Sequence, residues 1–208
     1  MLQDHPQTVP ADTLPVETKG ERTRSRLLDL AIRRFAAEGF RRTSVSDIAR
    51  DASLTPAAVY AYFAGKEALF EAAVDADAAA LIDEARTASA GGSIHDREVR
   101  FISTLIGRVE AHPLARRVLG GLEPEVVDRL LRLPALEAFT EELARELADA
   151  QRAGDVRADV DPALLARGLE TIVLSLLMGH VQTGAGADEE RSTGVAEVLD
   201  AAFRPPRA

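Results

Sequence analysis

The chain has 208 residues, 46% of them hydrophobic, so it can bury a core without disulfide or metal staples. It has no cysteine, which excludes disulfides and thiolate sites and suits a reducing compartment. The net charge of −9 argues against a surface that is basic throughout. His5, His95, His112 and His180 stand far apart without ligand spacing, so no metal and no other cofactor is expected. The opening MLQDHPQTVPADTLP lacks the basic and apolar regions of a signal peptide. The longest apolar run, Ile172–Gly179, is too short for a bilayer span of about twenty residues. A cytoplasmic protein with no membrane partner is expected.

In chain order, residues 1–18 are proline-rich and aperiodic and are expected to form a disordered arm. Thr18 and Glu21 have capping-box spacing, and Leu27, Leu28, Ala31, Ile32 and Phe35 follow at helical intervals up to Gly39. Thr43 or Ser44 caps a short second helix with Val45, Ile48 and Ala49, and Ala52-Ser53-Leu54 make a turn. Thr55 caps a third helix with Pro56 at its first position, and Val59 and Phe63 return it to a small core with Phe35 and Ile48. Further helices are expected at 66–88, 94–111 and 114–119, in two parts at 124–131 and 134–153, then at 161–182 and near 188–203. No strand pattern or repeat is present. The fold class is all-α with about nine helices. The divisions are the arm (1–18), a helix-turn-helix domain (19–66, the motif itself about 44–63) and a helical domain (67–208). The helix after Asp161-Pro162 is apolar nearly all round, so it must be covered on every side. Dimerisation through the last two helices would cover it.

Charge is unevenly placed. Between Arg22 and Lys66 nine bases face four acids, a local +5, which leaves −14 on the rest. Two short helices and a tight turn behind a basic helix can set a helix in the major groove of DNA, and a basic head on an acidic body touches phosphate at one end only.

Residues 26–74 carry several motifs in order: Phe-Ala-x-x-Gly-Phe ending the first helix, Thr-Ser-Val-x-Asp-Ile-Ala opening the second, Val-Tyr-x-Tyr-Phe ending the third, and Lys66-Glu67-x-Leu69 opening the fourth. This stretch closely resembles the N-terminal domain of tetracycline-repressor-like (TetR-type) transcriptional regulators. The resemblance covers about a quarter of the chain; the rest is similar only in general character. It implies a homodimer that binds a palindromic double-stranded operator, most often as a repressor, and a small-molecule effector held in the C-terminal body. Population shift then controls DNA binding: the effector favours a conformation whose heads are wrongly spaced.

Thr43 and Ser44, at a helix N-terminus, suit a phosphate with their hydroxyls and backbone N–H groups. The resemblance puts Tyr62 and Lys66 on phosphates as well, while Tyr60 either packs or touches the backbone. Base reading falls to Thr55, Pro56, Ala57 and Ala61, with Arg41, Arg42 or Ser46 in support. This helix departs from relatives that carry long polar side chains here. It has one hydroxyl and several apolar surfaces, so specificity is expected to lean on thymine methyls and DNA shape. Ser53 replaces the glycine often found in the turn; a left-handed backbone there costs about 1 kcal/mol. For the effector pocket the candidates are Phe70, Phe101, Leu105, Phe139, Leu143, Leu177 and Met178. With aromatics at only 4% and no tryptophan, an aliphatic pocket for a lipophilic ligand is expected over a flat aromatic cage. His112 and His180 read as satisfied structural histidines rather than ligand contacts.

Two rivals exist. For an enzyme, the chain lacks a GxSxG elbow, a Walker loop, a GxGxxG after a strand and an HExxH. Glu137, Glu141, Glu142 and Glu146 have no histidines at di-iron spacing and read as solvated charge. The other rival is a helical architectural or interaction protein that binds any duplex without ligand control.

Overall fold

A computed structural model describes residues 18–124, 132–184 and 189–204. The described residues are all-α, with no strand among them. The helices are α1 (Lys19–Arg42), α2 (Val45–Asp51), α3 (Pro56–Tyr60), α4 (Lys66–Ser89), α5 (Ile94–Arg108), α6 (Pro113–Leu119), α7 (Pro134–Ala153), α8 (Pro162–Thr183) and α9 (Glu189–Phe203). A 3-10 turn, Val109–Ala111, joins α5 to α6. The arm expected at the N-terminus and the short helix expected at 124–131 lie almost wholly outside the described residues.

Local chemistry sets the helix starts. Thr18 and Glu21 form a reciprocal capping box on α1. Ser44, Thr55 and Ser93 cap α2, α3 and α5 by accepting the N–H of Asp47, Ala58 and Asp96. Asp161 accepts the N–H groups of Ala163 and Leu164, with Pro162 at the first turn of α8. At Gly39, φ 82 and ψ 166 break the α1 ladder, and Phe40-Arg41-Arg42 add one further turn beyond the kink.

Two cores result. The first joins α1, α2 and α3 to the first turns of α4 around Phe35, Ile48, Val59, Leu69 and Phe70. Phe35 and Phe70 meet edge to face at 4.8 Å. Leu114 and Val118 of α6 enter this same core, so residues from beyond the expected division at residue 66, where α4 begins, pack behind the head. The second core joins the far half of α4 to α5, α7, α8 and α9, around Leu81, Phe101, Leu147, Leu169 and Leu199.

Two buried carboxylates bind α6 to the rest. Asp77 of α4 accepts the N–H groups of Leu114 (2.9 Å) and Ala115 (2.8 Å) at the start of α6, and its other oxygen lies 3.2 Å from His112 Nδ1. Glu123, 3% exposed, accepts the Phe40 N–H at 3.2 and 3.3 Å and Arg117 Nε at 2.5 Å. Arg117 also reaches the Ala36 carbonyl at 3.4 Å. The clamp of Arg117 and Glu123 thus holds the last turn of α1, from which the α1–α2 corner hangs.

Candidate nucleic-acid interface and effector cavity

The outer face of α2 and α3 is open. Thr55, Pro56 and Ala57 are exposed, as is Ala61 just beyond α3. Tyr60 is 55% and Tyr62 36% exposed. Two large aromatic side chains displayed on one short segment leave the packing alternative for Tyr60 without support. The Thr55 oxygen accepts the Ala58 N–H at 3.2 Å, which leaves the hydroxyl proton to donate outward. At the base of this face Lys66 Nζ sits 4.4 Å from the centre of the Phe40 ring and donates to the Arg41 carbonyl at 3.4 Å. Lys66 therefore belongs to the end of α1 as much as to α4. Arg42 is exposed, and its Nε donates to the Glu38 carbonyl at 2.9 Å.

The expectation for the two hydroxyls at the α1–α2 corner needs correction. Thr43 is 2% exposed and donates inward to the Gly39 carbonyl at 2.9 Å. Ser44 donates to Asp47 Oδ2 at 2.6 Å and accepts the Asp47 N–H. Its hydroxyl, with Arg50 second, holds the Asp47 carboxyl below the usual carboxylate range. Both hydroxyl protons are spent within the head. The fold used them for capping because a kink at Gly39 turns Thr43 inward, a feature that local spacing does not reveal.

Ser53 adopts φ 59, so the cost stated for a left-handed backbone in the turn applies. Arg34 of α1 reaches Asp51 at the end of α2 at 2.8 Å and Glu38 at 2.7 Å, and so fixes α2 against α1. The Arg34 hydrogen bond keeps the Asp51 carboxyl below its ordinary range. Sequence reasoning did not single out a basic depression of about 220 Å³ between the first turns of α1 and the α2–α3 turn. Lys19, Arg22, Arg26 and Leu54 are among its walls. Its signal was present in the charge run at 19–26, but only the fold brings that run beside Ala52 and Leu54.

In the body, an apolar cavity of about 70 Å³ lies among α4, α5, α6, α7 and α8. Of the residues expected to line an effector site, Phe101, Leu105, Phe139 and Leu177 do so. The other three do not. Phe70 sits in the head core, one turn before Val74, the first residue of α4 to line the cavity. Met178 is partly buried against the second core. Leu143 lines a neighbouring polar pocket of about 200 Å³ with Arg86, Arg97, Glu98 and Glu146, and Phe101 and Phe139 are shared by the two spaces. His112 is buried against Asp77, and neither it nor His180 lines the cavity. Ala115, Val118 and Leu119 place α6 on the cavity wall.

The glutamates of α7 are not simply solvated. Arg86 binds Glu142, and Arg97 binds Glu146. Beside them Glu98 is buried, and that burial, with Glu146 second, raises its carboxyl to about 7. Among the described residues no group of three or more His, Asp or Glu is placed to hold a metal ion.

A third surface is apolar and open. On α8 Leu164 is 70% and Ile172 38% exposed; on α9 Val198 is 57% exposed. Gly168, Gly179 and Gly194 border them, and a Cβ added at any of the three would meet nothing within 4 Å. By length and composition alone α8 is apolar enough to cross a membrane, but its inner face packs on α7 and carries the buried Glu170.

The sequence pattern described as "Bacterial regulatory proteins, tetR family" matches residues 27–73. Over 196 residues the chain is 24% identical to the HTH-type transcriptional regulator UidR of Escherichia coli K12, spanning 89% of this chain and 93% of that one. Among solved structures it is similar to a TetR-family transcriptional regulator from Cytophaga hutchinsonii, with a TM-score of 0.71 and 20% identity over 91% of this chain and 98% of that one. It is also similar to the regulator FadR of Bacillus subtilis, solved in complex with stearoyl-CoA, with a TM-score of 0.67 and 18% identity over 86% and 99% of the two chains.

Proposed function

We propose that this chain, a TetR-type transcriptional regulator and not an enzyme, represses from a palindromic operator as a cytoplasmic homodimer and is released by a small lipophilic ligand. The observation that carries this reading is the exposed face of Thr55, Pro56, Ala57, Tyr60 and Tyr62, with Lys66 at its base and no acidic side chain within residues 52–66. Phosphate contacts fall to Arg42, Tyr60, Tyr62 and Lys66, and to the basic depression at Lys19, Arg22 and Arg26. Thr55, Pro56 and Ala57 face the bases and favour thymine methyls.

The open face of α8 and α9 supports a second copy as its cover. Leucine, isoleucine and valine stand beside glycines with free space above them, so two such faces can approach closely. A dimer sets two heads about 34 Å apart, one turn of the duplex. Ligand control runs through α6: one side of it lines the cavity, and Arg117 with Glu123 grips the end of α1. The cavity of about 70 Å³ is well below the 300 Å³ or more usual for a drug-sized ligand. A ligand that enlarges it by displacing α6 or α4, two of its five walls, would move the α1–α2 corner with them.

The test begins with selection of operator sites from random duplexes, followed by footprinting against competitor DNA and sedimentation of the free protein. A two-fold site, thymine-rich where the recognition helices lie, bound by a dimer, supports the proposal. Equal affinity for every duplex, with salt dependence alone, would establish the architectural reading instead.

A further inference from the structure

The cavity behind α6 has one wall that does not match the others. Of the described residues that line it, Glu170 of α8 alone is ionisable, and none is a lysine, arginine or histidine. Glu170 is 6% exposed. Thr140 Oγ1 lies 3.0 Å from the Leu136 carbonyl and 2.7 Å from Glu170 Oε2, two acceptors that share the one hydroxyl proton. The other oxygen has no described hydrogen-bond donor and no described cation within ion-pair distance. Among the described residues the fully buried polar side-chain atoms without a hydrogen-bond partner are His95 Nδ1 and His112 Nε2, so Glu170 Oε1 is not sealed in and is open to a donor that enters the cavity.

The aromatic pair in the same cavity has the same electrostatic preference. Phe101 and Phe139 stack with centroids 4.7 Å apart and planes 10° apart, and Phe139 precedes Thr140 on α7. Ring faces are negative and attract cations, as does a carboxylate. A carboxylate ligand would instead bring acidic oxygens against Glu170 with no described base to balance them.

We propose that the cavity takes a lipophilic amine, whose nitrogen donates to Glu170 Oε1 while its hydrocarbon body fills the apolar walls. This rests on the reading of the cavity as the effector site and specifies its chemistry. The polar end lies at the α7–α8 seam beside Thr140, and the body extends towards Val118 and Leu119 of α6. The amine therefore anchors on α8, and its length decides how far α6 is pushed.

The experiment is calorimetric titration of the full chain with n-hexylamine, 1-hexanol and hexanoate, which share a tail and differ in head group. The amine is expected to bind about tenfold or more tighter than the alcohol, with hexanoate weakest. Glu170→Gln is expected to lower amine affinity by about tenfold or more, to the level of hexanol, while urea unfolding of the variant shows that it is folded. Equal affinity for amine and alcohol, a preference for hexanoate, or an amine advantage that survives Glu170→Gln overturns the proposal. If the variant does not fold, the series on the unaltered chain still decides. Amine-selective binding that leaves operator affinity unchanged sustains this inference while refuting release by ligand.

Discussion

Substituting Gly39 by alanine tests the joint between head and body. The backbone there, φ 82 and ψ 166, lies in a region used essentially by glycine alone, and a side chain costs about 1–3 kcal/mol on that ground. Space adds a second cost. A Cβ would stand 2.5 Å from an Arg117 guanidinium nitrogen and 2.9 Å from Glu123 Oε1. Neither end is free to swing aside, because Glu123 is buried and holds the Phe40 N–H. Losing that hydrogen bond to a charged acceptor adds about 1–3 kcal/mol. The total is about 2–6 kcal/mol in urea unfolding. Operator affinity should fall as well, since Arg42 and the start of α2 follow directly. Gly154→Ala is the control: its φ is also positive, at 84, but a Cβ there meets nothing within 4 Å, so only the backbone cost of about 1 kcal/mol remains. If Gly39→Ala costs no more than Gly154→Ala, the clamp does not hold the head.

Ser53→Gly is expected to stabilise by about 0.5–1 kcal/mol in the same assay, because glycine relieves the left-handed turn; a loss of stability would refute that. Lys66→Ala should weaken binding to all duplexes alike and lower the slope of log affinity against log salt by about one; an unchanged slope would remove Lys66 from the interface. Glu98 gives a pH dependence. Its folded value of about 7 exceeds the ordinary 4.5, so between these two pH values the folded state binds the extra proton and stability falls as pH rises, by about 3 kcal/mol in all. Unfolding followed from pH 4.5 to 8 should show this decline, and Glu98→Gln should flatten it. A slope unchanged in the variant would assign the dependence elsewhere.

What the sequence displays well is local. The caps at Thr18, Ser44, Thr55, Ser93 and Asp161 act within three residues of themselves, so spacing alone locates them. The helix-turn-helix surface follows, since exposure of Tyr60 and Tyr62 is the complement of burial at Val59 and Phe63. What stays hidden is long-range. Asp77 meets α6 across 37 and 38 residues, and Glu123 meets Phe40 across 83. No periodicity connects such pairs. Phe70 and Leu81 share a helix and a buried face, yet they serve different cores, because periodicity gives the face of a helix and not which end meets which partner. Glu170 escaped notice for a related reason: a single acid in an apolar helix looks like an interruption until the fold points it at a cavity.

The seven residues of α6 have a consequence for chimeras. Leu114 and Val118 complete the head, Val118 and Leu119 border the body's cavity, and Arg117 fastens one to the other. A fragment cut at residue 66 would expose the underside of its own core. Grafting this reader onto a foreign sensor therefore means transplanting a discontinuous patch, residues 19–74 together with 112–123, because the natural seam runs through space and not along the chain.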